Sequence, residues 1–304
     1  MALLLLNGCA AHLQATKLTT TPPLELAQSV ELEQVPFYPQ ERYQCGPAAL
    51  ATVLTWSGVA IKPEDLVAEV YLPQRHGSLQ VEMAAAARHH GRVSYILAPD
   101  LQAVLEEVRA GHPVVVLLNL GLSWYPRWHY AVVVGFDLQR DLLVLRSGTE
   151  RRDVISLELF ERMWRRGERW ALVAMPPAEL PATAQELPYL RAVLPFEQTE
   201  DWETADKAYA AAWQRWPESI GAEMGLGNSA YGRGDYAEAA EIYRRLLTQY
   251  PRFAPALNNL AQTMAKMGDF TAGERYAEEA IAAGGVQNKV YAETLREIRD
   301  HIGQ

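Results

Sequence analysis

Long apolar runs, positive charge and cysteine are the scarce things in this chain, and each shortage removes a class of protein. No stretch of about eighteen apolar residues occurs, so no helix is expected to span a membrane. Lys and Arg number 28 against 37 Asp and Glu, a net charge of −9, which argues against nucleic acid as a partner. The seven histidines show no metal-ligand spacing, and no motif implies a cofactor, so neither metal nor cofactor is expected. Only two cysteines occur, Cys9 and Cys45. Against these absences stand 304 residues with 49% hydrophobic content, enough for two domains with cores of their own.

The stretch Tyr43-Gln44-Cys45-Gly46-Pro47-Ala48-Ala49-Leu50 reads as a turn entering an apolar helix, with Pro47 in the first turn where its missing N–H does no harm. Cys45 therefore sits at a helix start. Unpaired N–H groups and the positive helix end favour a thiolate there, so its pKa is expected below the ordinary thiol value and its alkylation well below neutral pH. The other reading is a small buried hydrophobe. Farther on, Trp128-His129-Tyr130-Ala131-Val132-Val133-Val134-Gly135-Phe136 is a β-prone run with a histidine at its mouth.

Gln40 with Cys45-Gly46-Pro47-Ala48-Ala49-Leu50, then Gly111-His112-Pro113-Val114-Val115-Val116-Leu117, then His129 to Gly135 together resemble the bacterial papain-like cysteine peptidases that cleave double-glycine leader peptides. The resemblance runs over roughly residues 33 to 175. It implies an α+β papain-like domain in which Cys45 is the nucleophile, His129 its general base and Gln40 the oxyanion donor, with Gln44 as competing donor. An Asp on the strand after the histidine strand orients the imidazole in that family. Here Leu143-Val144-Leu145-Arg146-Ser147-Gly148-Thr149 carries no carboxylate. Ser147 can hydrogen-bond a ring nitrogen. Asp137 is the other possible third member, or else a turn aspartate.

Within this domain Pro63 to Val70 and Val81 to His90 read as helices, with Gly77 and Ser78 on a loop near the cleft. Strands are expected at Val93–Leu97, Val114–Leu118, Ala131–Val134, Leu142–Leu145 and Trp170–Ala174, and a helix at Leu101–Ala110. Trp124, Tyr125 and Trp128 form either a groove wall, a core cluster or a lid. Arg146, Arg151, Arg152, Arg162, Arg165, Arg166 and Arg169 read as a solvated basic face.

At the N-terminus, Leu6-Asn7-Gly8-Cys9 resembles a lipobox, which implies that Cys9 is acylated and the protein tethered in the periplasm, at the outer membrane since Ala10 follows. The membrane is then a partner through that anchor alone. With Cys9 taken by lipid, Cys45 has no disulfide partner. Labelling with a palmitate analogue is expected to vanish in Cys9→Ser; retained labelling would rule the anchor out.

Beyond Pro176-Pro177 the sequence repeats. Asp201, Trp202, Ala205, Tyr209 and Pro217 recur 34 residues later as Asp235, Tyr236, Ala239, Tyr243 and Pro251, and Asp269, Phe270, Gly273 and Ala277 continue the series. This is the tetratricopeptide pattern. About three units and a closing helix are expected, the first interrupted by Pro188 and Pro195. The boundaries that follow are residues 1–9 for a signal remnant, 10–32 for a linker, 33–177 for the peptidase domain, 178–187 for a second linker and 188–304 for the repeats. The expected function is a cell-envelope cysteine peptidase acting on a peptide or protein substrate, with a repeat domain that docks substrate or a protein partner. Its rivals are a silent peptide-binding scaffold and an amidase or transferase of the same fold.

Overall fold

The computed structural model describes residues 14–23, 26, 28–40 and 44–302. Cys9 and Tyr43 lie outside them. The chain divides into two compact units, one reaching Pro176 and including Pro181–Ala184, the other comprising Pro177–Leu180 and Gln185 onward.

The first unit is α+β. Its sheet has seven antiparallel-paired strands: β1 (Ser29–Glu31), β2 (Val93–Ile96), β3 (Val114–Asn119), β4 (Trp128–Asp137), β5 (Leu142–Ser147), β6 (Glu150–Ser156) and β7 (Ala171–Met175). They lie in the order β2-β7-β3-β4-β5-β6, with β1 paired to β4. The centre of the sheet is β3 and β4, whose Val- and Leu-rich runs are almost wholly buried, as strands covered on both faces must be. β3 spans only Trp128 to Val133 of the ten-residue β4; β1 takes over the same edge at Gly135–Asp137. β7 separates β2 from β3, so the β-α-β passage closes only when the last strand of the unit inserts between them.

The helices are α1 (Gln14–Thr20), α2 (Cys45–Trp56), α3 (Pro63–Val70), α4 (Gln80–His89), α5 (Leu101–Arg109) and α6 (Leu157–Arg166). A core cluster joins α2 to α3, α4 and the sheet through Leu50, Leu54, Leu66, Met83, Val115 and Val132. Apolar burial at about 25 cal/mol per Å² makes such a cluster the main source of the unit's stability.

Three expectations need correction here. Part of the 10–32 segment is not a free linker. In α1, Ala15 and Leu18 are buried, the Ala15 N–H donates to Glu161 of α6 at 2.8 Å, and Gln14 accepts from the N–H of Leu101 at the start of α5. The arginine-rich stretch is not one solvated face either: it contains β6 and α6, and Arg146 is 3% exposed, bonded to backbone carbonyls. The third correction concerns Pro188 and Pro195. Both fall within one unbroken helix, α7 (Glu186–Gln198). Pro188 lies in the first turn, whose N–H groups have no intrahelical partner, and Pro195 removes only one bond.

The second unit is all helical. After α7 come α8 (Trp202–Arg215), α9 (Ile220–Arg233), α10 (Tyr236–Gln249), α11 (Ala254–Lys266), α12 (Phe270–Ala283) and α13 (Asn288–Ile302). Asp201, Asp235 and Asp269 are the N-caps of α8, α10 and α12, so the 34-residue period marks the same helix start three times. Asp201 and Asp269 accept backbone N–H bonds there. Asp235 instead meets Arg233. The small positions of the repeat are needed for close approach: a Cβ at Gly225 would lie 2.5 Å from the Tyr209 ring and one at Gly227 2.4 Å from Tyr243.

Candidate active site

Cys45 opens α2. Residues 46–54 are buried throughout, since Ala, Leu and Val leave that helix no polar face, and α2 packs against β4 and α3. Gln44 is its N-cap residue but makes no side-chain capping bond, so the first-turn N–H groups are left for another acceptor. The backbone of Tyr130 on β4, of Gly46 and of Cys45 itself each lowers the pKa of the Cys45 thiol, which places the sulfur beside them. Because Tyr130 follows His129, the thiol lies against the backbone next to that histidine. Gly46 has no room for a side chain: a Cβ there would meet Ser78 Oγ at 2.2 Å and Ser78 Cβ at 2.6 Å. The loop between α3 and α4 thereby closes onto the helix start.

His129 is half-buried at the mouth of β4, and its Nε2 meets Ser147 Oγ at 3.0 Å. Nδ1 is the remaining ring nitrogen. Asp137 is on the same strand but eight residues along, about 26 Å away at the rise of a β-strand. There it accepts the Arg140 N–H in the β4–β5 turn, which settles it as a turn aspartate and removes it as a partner of His129. The carboxylate that does act on His129 is Asp153, which the sequence reading did not find. It stands on β6 opposite Leu145, and its charge raises the imidazole pKa. The signal was Gly148: a turn there folds the chain back and sets Asp153 opposite Leu145, two residues before Ser147 at the end of β5.

Gln40, Cys45, His129 and Tyr130 line one cleft of about 1140 Å³ together with Gly77 and Ser78. Gln40 Nε2 donates to the Tyr130 carbonyl at a long 3.4 Å. Gln44 is absent from the lining, so of the two glutamines only Gln40 reaches the cleft. Tyr125 and Trp128 also line it and are 67% and 54% exposed. They form part of a rim rather than a core. That rim hairpin is held by Asn119, whose Oδ1 accepts from the N–H groups of Gly121 and Arg127.

The electrostatics depart from expectation. Burial pushes the Cys45 thiol above its ordinary pKa, and the backbone of those three residues only partly opposes it. A helix start favours a thiolate, yet here the loss of water outweighs it. Burial likewise lowers His129 below the ordinary imidazole value, with Asp153 pulling the other way. Both shifts favour the uncharged forms, thiol and neutral imidazole, over an ion pair. Tyr130 keeps its proton for the same reason, and its hydroxyl donates to the Ser78 carbonyl.

Comparison with known proteins bears on this geometry. Residues 32–170 match the Peptidase_C39 like family and residues 230–292 a tetratricopeptide repeat family. No curated protein matches. Among solved structures, a protein described as a C39-like peptidase from Bacillus anthracis is 18% identical, with a TM-score of 0.42, covering 49% of this chain and 98% of its own. The peptidase domain of Streptococcus ComA, described as a bifunctional ABC transporter involved in a quorum sensing pathway, is 22% identical with a TM-score of 0.40, covering 47% and 99%. This chain thus joins an α+β domain that matches the Peptidase_C39 like family over residues 32–170 to a helical domain in which residues 230–292 match a tetratricopeptide repeat family.

Proposed function

We propose that the first domain is a cysteine peptidase that hydrolyses peptide bonds through Cys45 and His129, and that the repeats hold its substrate or a protein partner. One observation carries this reading: the Cys45 sulfur lies at an N–H-lined helix start, against the backbone beside His129, in an open cleft shared with Gln40. In the proposed reaction the neutral His129 takes the thiol proton as sulfur attacks the carbonyl carbon. The Cys45 N–H and Gln40 Nε2 receive the oxyanion, for which Gln40 gives up its long bond to Tyr130. His129 then returns the proton to the leaving amine. Water, deprotonated by the same imidazole, releases the acyl group and restores the thiol. Ser147 holds the ring by Nε2, and Asp153 offsets the positive charge that the ring acquires.

A second reading has a specific observation behind it. Ser147 stands where an orienting carboxylate would mark an active peptidase, and burial raises the Cys45 pKa, as a silent peptide-binding scaffold would allow. Incubation with a pool of peptides separates the two: new termini should appear with the intact protein and not with Cys45→Ser. Cleavage unaffected by Cys45→Ser excludes the peptidase, and peptide binding without cleavage supports the scaffold. The pH dependence adds a signed test. The base works only when deprotonated, so the acid limb of kcat/KM should fall below about pH 6.5. Asp153→Asn removes the charge that raises His129 and should move that limb to still lower pH. A shift upward would contradict the assignment.

A further inference from the structure

The structure assigns a second cluster of donor atoms, far along the chain from Cys45 and His129, and we propose that Glu69, His89 and His90 bind a divalent transition ion of the zinc class. Glu69 lies in the last turn of α3; His89 ends α4 and His90 follows it. Each histidine takes a different oxygen of the one carboxylate: His89 Nδ1 is 3.0 Å from Oε2, and His90 Nε2 is 3.0 Å from Oε1. The three ligand atoms all lie within 4.8 Å of one another. A tetrahedral ion with bonds of about 2.0–2.1 Å needs donors about 3.3–3.4 Å apart, so small side-chain movements suffice to place an ion between them. Neighbouring histidines can reach one point when one presents Nδ1 and the other Nε2. That is the arrangement here, with the rings stacked 5.2 Å apart.

Two imidazoles and a carboxylate form a donor set suited to zinc. His89 is 74% exposed while Glu69 and His90 are 25% and 23% exposed, so an ion can enter, and water can fill its remaining position. Histidine spacing alone gives no hint of this, because the third donor comes from 20 residues earlier. The location has a consequence for the cleft. Residues 75–79, strung between α3 and α4, line it. An ion there would tie the end of α3, from which that segment departs, to the far end of α4.

The test uses the full chain carrying Cys9→Ser and Cys45→Ser, so that no thiol captures metal, titrated with zinc chloride by calorimetry and with cobalt(II) by visible absorption. One equivalent should bind, with the intense visible bands of a tetrahedral cobalt site, and Glu69→Gln, His89→Ala and His90→Ala should each weaken binding by about tenfold or more. Glu69→Gln is the informative variant. Its amide still hydrogen-bonds both rings, so the fold and the circular dichroism should persist while metal affinity falls. Absence of binding in the parent, or binding unaltered when all three residues are replaced, would overturn the proposal.

Discussion

His129→Ala is expected to lower kcat/KM for peptide cleavage by about 10²–10⁴-fold, and Cys45→Ala to reduce it by on the order of 10⁶-fold, to background. The two losses differ because a thiol without its base still attacks slowly as the small thiolate fraction present, whereas no other side chain of the cleft replaces sulfur. Measuring alkylation beside turnover separates base chemistry from folding. Because burial raises the thiol pKa, iodoacetamide labelling of Cys45 should be slower than that of free cysteine at neutral pH and climb on the alkaline side. Above the thiol pKa the rate should be the same in wild type and His129→Ala, since no base is needed for a thiolate. Ser147→Ala should lower kcat with little change in KM, as Ser147 touches the ring and not the peptide. Equal turnover in wild type and His129→Ala would remove the imidazole from the mechanism.

What could be read from sequence, and what could not, follows from where each signal is stored. Cys45 and His129 were legible because their positions are set by local pattern: an apolar run behind Gly46-Pro47 makes a buried helix, and an unbroken β-prone run behind His129 makes a central strand. The repeats were legible because their period places a capping aspartate at every second helix. Asp153 was not, since its relation to His129 passes through a hairpin whose strand β6 is exposed and polar and lacks hydrophobic alternation. The direction of the thiol pKa was not legible either. The helix end acts locally and is visible in sequence, while desolvation depends on the core cluster that Cys45 packs against, in which Met83 and Tyr130 come from distant segments. Similarly, α1 reads as polar residue by residue, and its bonds to buried Glu161 of α6 and to Leu101 of α5 show where it docks.

Arg146→Met is expected to cost the first domain about 3–5 kcal/mol, the largest stability loss of any single arginine in the basic stretch. Its guanidinium is buried on β5 without a carboxylate against it, and donates instead to the carbonyls of Glu33 at 3.0 Å, Val35 at 3.3 Å and Arg151 at 2.6 Å. Burial lowers its pKa, with Arg151 pushing the same way and Glu31 opposing, yet a guanidinium stays charged in a protein. Methionine matches much of the volume but leaves these carbonyls without a donor. Arg146→Lys should fall between, because an ammonium keeps the charge but cannot span the same acceptors. Arg151→Met, an exposed side chain, should stay within about 0.5 kcal/mol of wild type. Chemical denaturation followed by hydrogen exchange at the β4 and β5 amides would measure all three. The consequence reaches the cleft, because the carbonyls Arg146 holds belong to the segment that runs directly into Gln40, and Gln40 is fixed in turn by its N–H bond to Gly148 at 3.0 Å. Arg146→Lys, if it still folds, should therefore lose kcat as the oxyanion donor drifts. If Arg146→Met proves as stable as Arg151→Met, the carbonyl cage is not what holds that segment.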